Sequence, residues 1–148
     1  METRTTHRLY IASMLVLLMA FLLMGYVTYL MFEPFHEPLV VEPFPVLNEN
    51  KEVVRGELLY YTIQLTKYQD IPVSSFKSIV CADGNLVTLA FAQTSLPLGT
   101  HKLDTNVRIP EKTSLGECYL HFETTFHVNK LKDVHRERNT EVFYVIEK

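Results

Sequence analysis

The chain has 148 residues, with 14 Lys and Arg against 17 Asp and Glu, two Cys, no Trp and a net charge of −3. Two cysteines exclude a disulfide-dense miniature scaffold, and the lack of a basic excess argues against a nucleic-acid binder. Hydrophobic residues make up 47 % of the chain, and they are concentrated near its start.

Leu9 to Phe32 is a run of 24 residues without a charged side chain. A helix of that length reaches roughly 36 Å, enough to cross a ~30 Å hydrocarbon core with some tilt. Arg4 and Arg8 precede the run; Glu33, Glu37 and Glu42 follow it, with no Lys or Arg until Lys51. Retention of basic residues on the cytoplasmic side predicts that residues 1–8 stay inside and everything after residue 32 lies outside. Tyr10 suits the inner interface, and Tyr26, Tyr29 and Phe32 the outer one. A cleaved signal peptide has a shorter apolar core and small residues at its cleavage site. Here Leu23, Met24, Tyr26 and Val27 surround Gly25, and no Cys directly follows the run to carry a lipid anchor. The run reads as an uncleaved signal-anchor with the bilayer as its partner. It has no Gly-x-x-x-Gly pattern for close helix pairing and no charge that would mark an ion path.

Residues 33–50 contain Pro34, Pro38, Pro43 and Pro45, which deny a helix its donors and favour extended backbone. The expectation is a Pro/Glu-rich stalk with four Glu and no basic residue. The repeated Glu-Pro-Phe at 33–35 and 42–44 suggests a docking motif. The favoured alternative is that Val40, Val41, Phe44, Val46 and Leu47 include a first strand of the following domain. From Lys51 onward, 98 residues carry twelve basic and twelve acidic side chains, so the domain is neutral. That length supports one core.

Within the domain the hydrophobic period is two. Leu59, Tyr61, Ile63 and Leu65 alternate with polar residues, predicting a strand over 58–67. Strands over 76–82 and 86–92 flank Asp83-Gly84, a dipeptide suited to a tight hairpin. A Pro-Leu-Gly turn at 97–99, a strand about 101–109 and the breaker Pro110 follow. Cys118, Leu120, Phe122, Thr124, Phe126 and Val128 give the longest alternation, and Val142–Ile146 forms a last strand. About seven short, turn-punctuated strands predict an all-β, immunoglobulin-like (Ig-like) seven-stranded sandwich. If 76–82 and 118–128 are its third and sixth strands, they neighbour each other antiparallel. Cys81 then lies beside Cys118, and an oxidising compartment predicts a disulfide between them.

Little in the sequence suggests chemistry. His121 and Glu123 share one strand face at a spacing of about 7 Å, with His127 further along. Polar residues on a solvated sheet face are the ordinary expectation, so no metal ligand is assigned, and no cofactor is implied. Gly-x-Ser-x-Gly, His-Glu-x-x-His, Cys-x-x-Cys and phosphate-cradling Gly loops are all missing. No catalytic residue is expected. The segment Asn129–Thr140, expected as a loop joining the last two strands, carries Lys130, Lys132, Arg136 and Arg138 against Asp133 and Glu137. Loops held by a rigid sandwich are common recognition sites. These four cations are the candidate partner-binding residues, with Lys67, Tyr68 and Asp70 expected at the same end.

The strings R-G-E-L-L-Y-Y-T (55–62), K-Y-Q-D-I-P-V (67–73), L-P-L-G-T-H (96–101), I-P (109–110), L-G-E-C-Y-L (115–120), V-N-K-L (128–131) and F-Y-V (143–145) are notable together. With them the chain resembles uncharacterised small single-pass membrane proteins of tailed phages, in which a membrane helix precedes one Ig-like domain. The resemblance implies that fold and a viral origin, and carries over no catalytic residues.

The expected organisation is a cytoplasmic tail (1–8), a transmembrane helix (9–32), a stalk (33–50) and an Ig-like ectodomain (51–148). The expected function is a non-enzymatic interaction module, anchored in the cytoplasmic membrane with its domain periplasmic or extracellular. It would bind an unknown protein of the envelope, without nucleic acid, and homo-oligomerisation is left open. The alternatives are a metal or redox accessory protein of a membrane complex, and a phage lysis or envelope-modifying protein.

Overall fold

The computed structural model describes residues 2–94 and 96–147, beginning with helix α1 over Glu2–Phe32. The helix starts earlier than Leu9 because residues 2–8 hold no Pro or Gly to stop it. Its span Leu9–Phe32 is long and apolar enough to cross a membrane. Its large apolar side chains from Leu9 to Phe32 are exposed on every face, Leu30 alone being half-buried. A helix apolar on every face is of the kind found in a buried core or a membrane span. Ser13 Oγ donates to the Tyr10 carbonyl and Thr28 Oγ1 to that of Met24, both at 2.8 Å. Such back-bonding leaves neither hydroxyl unpaired in a hydrocarbon.

The helix forms one unit with residues 129–132. Asn129 Nδ2 donates to the Leu30 carbonyl at 2.8 Å and to Glu33 Oε2 at 2.7 Å, while Lys132 Nζ donates to the Glu33 carbonyl at 2.7 Å. The last carbonyls of a helix have no partner of their own and carry partial negative charge, so an amide and an ammonium suit this end. No basic residue sits in the last turn of α1 itself.

The second unit runs from Phe35 to Val128 and resumes at Asp133. It is a sandwich-like all-β domain of two sheets. Its strands are β1 (Leu39–Val40), β2 (Glu52–Val54), β3 (Leu58–Lys67), β4 (Val73–Cys81), β5 (Leu86–Thr94), β6 (Gly99–Arg108), β7 (Gly116–Asn129), β8 (Lys132–Asn139) and β9 (Phe143–Ile146). One sheet has the order β1-β3-β6; the other has β2-β9-β7-β4-β5, with β8 also pairing β7. The β1–β3, β3–β6, β4–β5, β4–β7 and β7–β9 pairs are antiparallel, and β2–β9 is parallel.

Within 33–50 the structure has the pairing segment rather than a wholly free stalk: Val40 pairs with Leu65, and Phe44 and Val46 are buried. The prolines space this segment without preventing its pairing. The Val41, Phe44 and Leu47 amides donate to the carbonyls of Gln64, Asn139 and Tyr60 at 2.9, 3.1 and 2.8 Å. One expectation requires correction: the segment from 132 to 139 is a strand, not a loop. Asn129 Oδ1 accepts from the Leu131 amide at 2.9 Å, turning the chain back so that β8 follows β7. Charged residues on both faces of β8 hide its alternation from a hydrophobic pattern.

Leu59, Tyr61, Ile79, Ile109, Leu120 and Phe143 are fully buried and centre the core. Cys81 and Cys118 are register partners on β4 and β7 and form the expected disulfide. Closing their 37-residue separation contributes about 4 kcal/mol in the chain-entropy model. The Asp83-Gly84 hairpin is also present, with Gly84 at φ 84° and the Asn85 amide donating to Asp83 Oδ1 at 2.9 Å. A hydrogen bond with Ser114 first, and the Asn85 bond second, hold the Asp83 carboxyl below its ordinary range.

Candidate functional site

Inward-facing residues of the sandwich are packed at the disulfide end and loosened at the other. On β3, Leu59 and Tyr61 are fully buried while Ile63 and Leu65 are half-buried; on β4, Cys81 and Ile79 are buried while Lys77, Ser75 and Val73 are half-buried. Between these loosened ends lies a partly open cavity of about 260 Å³. Ile63, Leu65 and Leu103 supply one wall, Val73, Phe122 and Phe126 the other, and Phe35, Val40 and Phe44 lie along its side. An apolar cavity of about 150 Å³ already accepts benzene, so this one has room for roughly ten carbon atoms. A closed cavity of that volume would cost about 6 kcal/mol at ~24 cal/mol per Å³, and one partly open to water costs less. Domains have only about 5–15 kcal/mol of stability in all.

Several contacts hold the rim. The Phe35 ring packs on Phe126 at 5.4 Å. The His36 amide donates to Gln69 Oε1 at 3.0 Å, and Gln69 Nε2 lies 3.2 Å from His36 Nδ1.

Three cations line this apolar space: Lys67, Lys77 and Arg138. Lys67 is buried and donates to Asp70 Oδ1 at 2.8 Å and to the Leu96 carbonyl at 2.7 Å. Arg138, 8 % exposed, lies 3.1 Å from Glu37 Oε1 through Nη2 and 2.8 Å from Glu42 Oε1 through Nε. Arg136 Nη2 meets Glu37 Oε2 at 2.7 Å. The hydrogen bond from Arg136 holds the Glu37 carboxyl below its ordinary range against its partial burial, and the charges of both arginines add to this. The same bond raises Arg136. Two of the three lining cations therefore have carboxylate partners.

Lys77 is different. Its Nζ donates to Tyr61 Oη at 3.1 Å and lies 5.8 Å from the ring centroids of both Tyr61 and Phe122. Among the described residues no carboxylate is paired with it. The β4–β5 register shifts between Phe76 and Ser78, with the extra residue on β5 opposite Lys77, while the β4–β7 register runs unbroken through it. Bulges are enriched beside functional sites.

The structure divides the residues singled out by sequence. Lys67 and Arg138 reach the same cavity from opposite sheets, and Asp70 serves Lys67. Tyr68 is exposed, and Arg136 is engaged by Glu37. Lys130 and Lys132 belong to the helix unit. Lys77 is not among the residues singled out by sequence, although a signal existed: Cys81 fixes the inward parity of β4, and Lys77 shares it.

The histidine face is occupied by local bonds. His127 Nε2 lies 2.7 Å from Ser74 Oγ, and its Nδ1 lies 3.0 Å from Asp133 Oδ1. His121 Nδ1 lies 2.8 Å from Asn139 Oδ1, and its Nε2 lies 3.8 Å from Glu123. Among the described residues no group of three or more His, Cys, Asp or Glu is placed to hold a metal ion. The side chains of Arg4 and Arg8, on which the orientation argument rests, lie outside the described ones.

No protein-family model matches the chain, and no curated protein matches its sequence.

Proposed function

We propose that the chain is a single-pass, membrane-anchored Ig-like binding module, without enzymatic activity, on the extracytoplasmic side of a cytoplasmic membrane. The β3–β6 pairing in one sheet and the β4–β7–β9 order in the other support the Ig-like assignment, since they parallel the B–E and C–F–G pairings of that fold. The apolar span and the basic residues before it support the anchoring and the orientation. A tailed-phage origin rests on the sequence resemblance.

The observation that carries the binding function is the partly open, apolar cavity with a lysine that has no carboxylate partner among the described residues. A domain whose work was only structural would gain by filling that volume, because interiors are close-packed and voids are costly. Binding through Arg136 and Arg138, by contrast, would first have to break their ion pairs with Glu37 and Glu42.

The test is photo-crosslinking of the full chain in a bacterial inner membrane, from a photoreactive residue replacing Ile71 on the cavity lining. One dominant adduct, lost when Thr124→Leu fills the cavity, supports the module. Equal yield from Ile71 and from the exposed Tyr60, with the same scatter of products, would overturn it.

A further inference from the structure

We propose that the cavity receives a fatty-acid-like amphiphile, with its carboxylate at Lys77 and its single hydrocarbon tail along the apolar walls towards Phe35 and Phe126. The proposal rests on the binding function above and names its ligand.

Charge complementarity makes the first argument. Lys77 occupies an inward-facing position on β4, between Ser75 and the fully buried Ile79. Its described polar partner is one phenol oxygen, and its other near neighbours are two aromatic faces. Lys67 and Arg138 already have carboxylates from this chain. A single anionic group placed at Lys77 would complete the set, and Tyr61 Oη, 3.1 Å from Nζ, stands ready to donate to the same anion.

Shape supplies the second argument. The space holds roughly ten carbons by comparison with a benzene-sized cavity. That suits one acyl chain and excludes the two tails of a bilayer phospholipid.

The chemistry of the walls supplies the third. The lining strands spend their backbone groups on sheet pairing, and the apolar walls offer few further partners. An entering peptide would bring its own amides and leave them unpaired, which is costly. A hydrocarbon tail brings none.

Chain connectivity gives the ligand a source. Phe35 lines the cavity and follows Phe32, the last residue of the apolar helix, by three residues. Three residues extend no more than about 11 Å, so the chain itself ties Phe35 to the apolar span. A chain anchored by that span would meet the fatty acids of the same bilayer.

The test uses the full chain in phosphatidylcholine nanodiscs, labelled with a diazirine-bearing decanoic acid or with the corresponding alcohol. Adducts are located by mass spectrometry. The acid is expected to label Ile63, Leu103 and Phe126, and to do so at least about tenfold more than the alcohol, as a charge-assisted bond implies. Lys77→Met should abolish that preference, while Lys77→Arg should keep it. The Lys77→Met protein should melt no lower than the parent, so loss of labelling would not reflect unfolding. If acid and alcohol label the cavity equally in the parent, or Lys77→Met keeps the preference, the anionic ligand is overturned while the binding cavity stands. If neither probe labels the cavity and adducts are confined to Leu9–Phe32, both the ligand and the cavity's binding function are overturned.

Discussion

Arg138→Ala tests whether the segment after the helix is clasped to the sandwich by charge. Arg138 is 8 % exposed, whereas Glu37 and Glu42 are 33 % and 44 % exposed. A buried hydrogen bond to a charged group is worth about 1.5–3 kcal/mol, and a surface ion pair about 0–1. Half-exposed carboxylates place each contact near 1 kcal/mol, and the buried stem of the arginine adds about 1 kcal/mol of lost packing. The total is about 3 kcal/mol, or a fall of about 12 °C in Tm for a domain of this size. Thermal unfolding of the full chain in detergent, followed by circular dichroism, measures it. Amide exchange should quicken at Val41 and Phe44, whose donors the clasp holds against Gln64 and Asn139. The cost should also depend on pH with a definite sign. Glu37 has its carboxyl lowered from 4.5, so its contribution is complete above the ordinary glutamate range and is lost as pH falls through the lower folded value. The gap between parent and variant should narrow below about pH 4. A Tm shift under about 3 °C at neutral pH, with exchange at Val41 and Phe44 unchanged, would refute the clasp.

Lys77→Met should raise Tm by a few degrees, because it removes a cation that the apolar cavity leaves without a carboxylate; scanning calorimetry checks this, and a fall would show that Lys77 is structural. Reducing the Cys81–Cys118 bond should cost about 4 kcal/mol in denaturant titrations, and a loss under ~1 kcal/mol would contradict a cross-link acting on the unfolded chain. Gly84→Ala should cost about 1–2 kcal/mol through its left-handed backbone alone, since nothing lies within 4 Å of an added Cβ. Leu120→Ala should cost about 3–5 kcal/mol, because Leu120 is fully buried in the packed half of the core.

Much of this fold was legible where two physical signals agreed. Over Leu58–Lys67, apolar alternation and β-branched residues coincide, and β3 has those bounds. Cys81 and Cys118 were legible as a pair because strand order and strand ends together made them neighbours. Signals in conflict left the reading divided. The prolines of 33–50 suggested a stalk and its apolar residues a first strand, and Pro spacing left Val40, Phe44 and Val46 free to pair and bury. Their acidic neighbours were answered by arginines about a hundred residues away, which no local pattern reveals. On β4 the apolar pattern favours turning Phe76 inward. The disulfide register instead puts Phe76 outside, 51 % exposed and 5.0 Å from Phe91, and turns Lys77 in. The candidate site was therefore hidden by the parity of one strand.

That parity also suggests why the two halves of the core differ. A close-packed interior would exclude a lysine, and an interior open enough to admit a ligand forfeits packing. The packed half gathers the fully buried residues and the disulfide. Its cross-link contributes about 4 kcal/mol, of the same order as the loss in the open half, which is at most ~6 kcal/mol. The disulfide thus lets the domain hold a cavity that a core of this size would otherwise have to close. Ligand binding adds stability as RT ln(1 + [L]/Kd), so an occupied cavity should partly replace the cross-link. On this reasoning the reduced chain should depend on bound ligand for its folded state more than the oxidised chain does. Filling the cavity with Thr124→Leu should lessen that dependence.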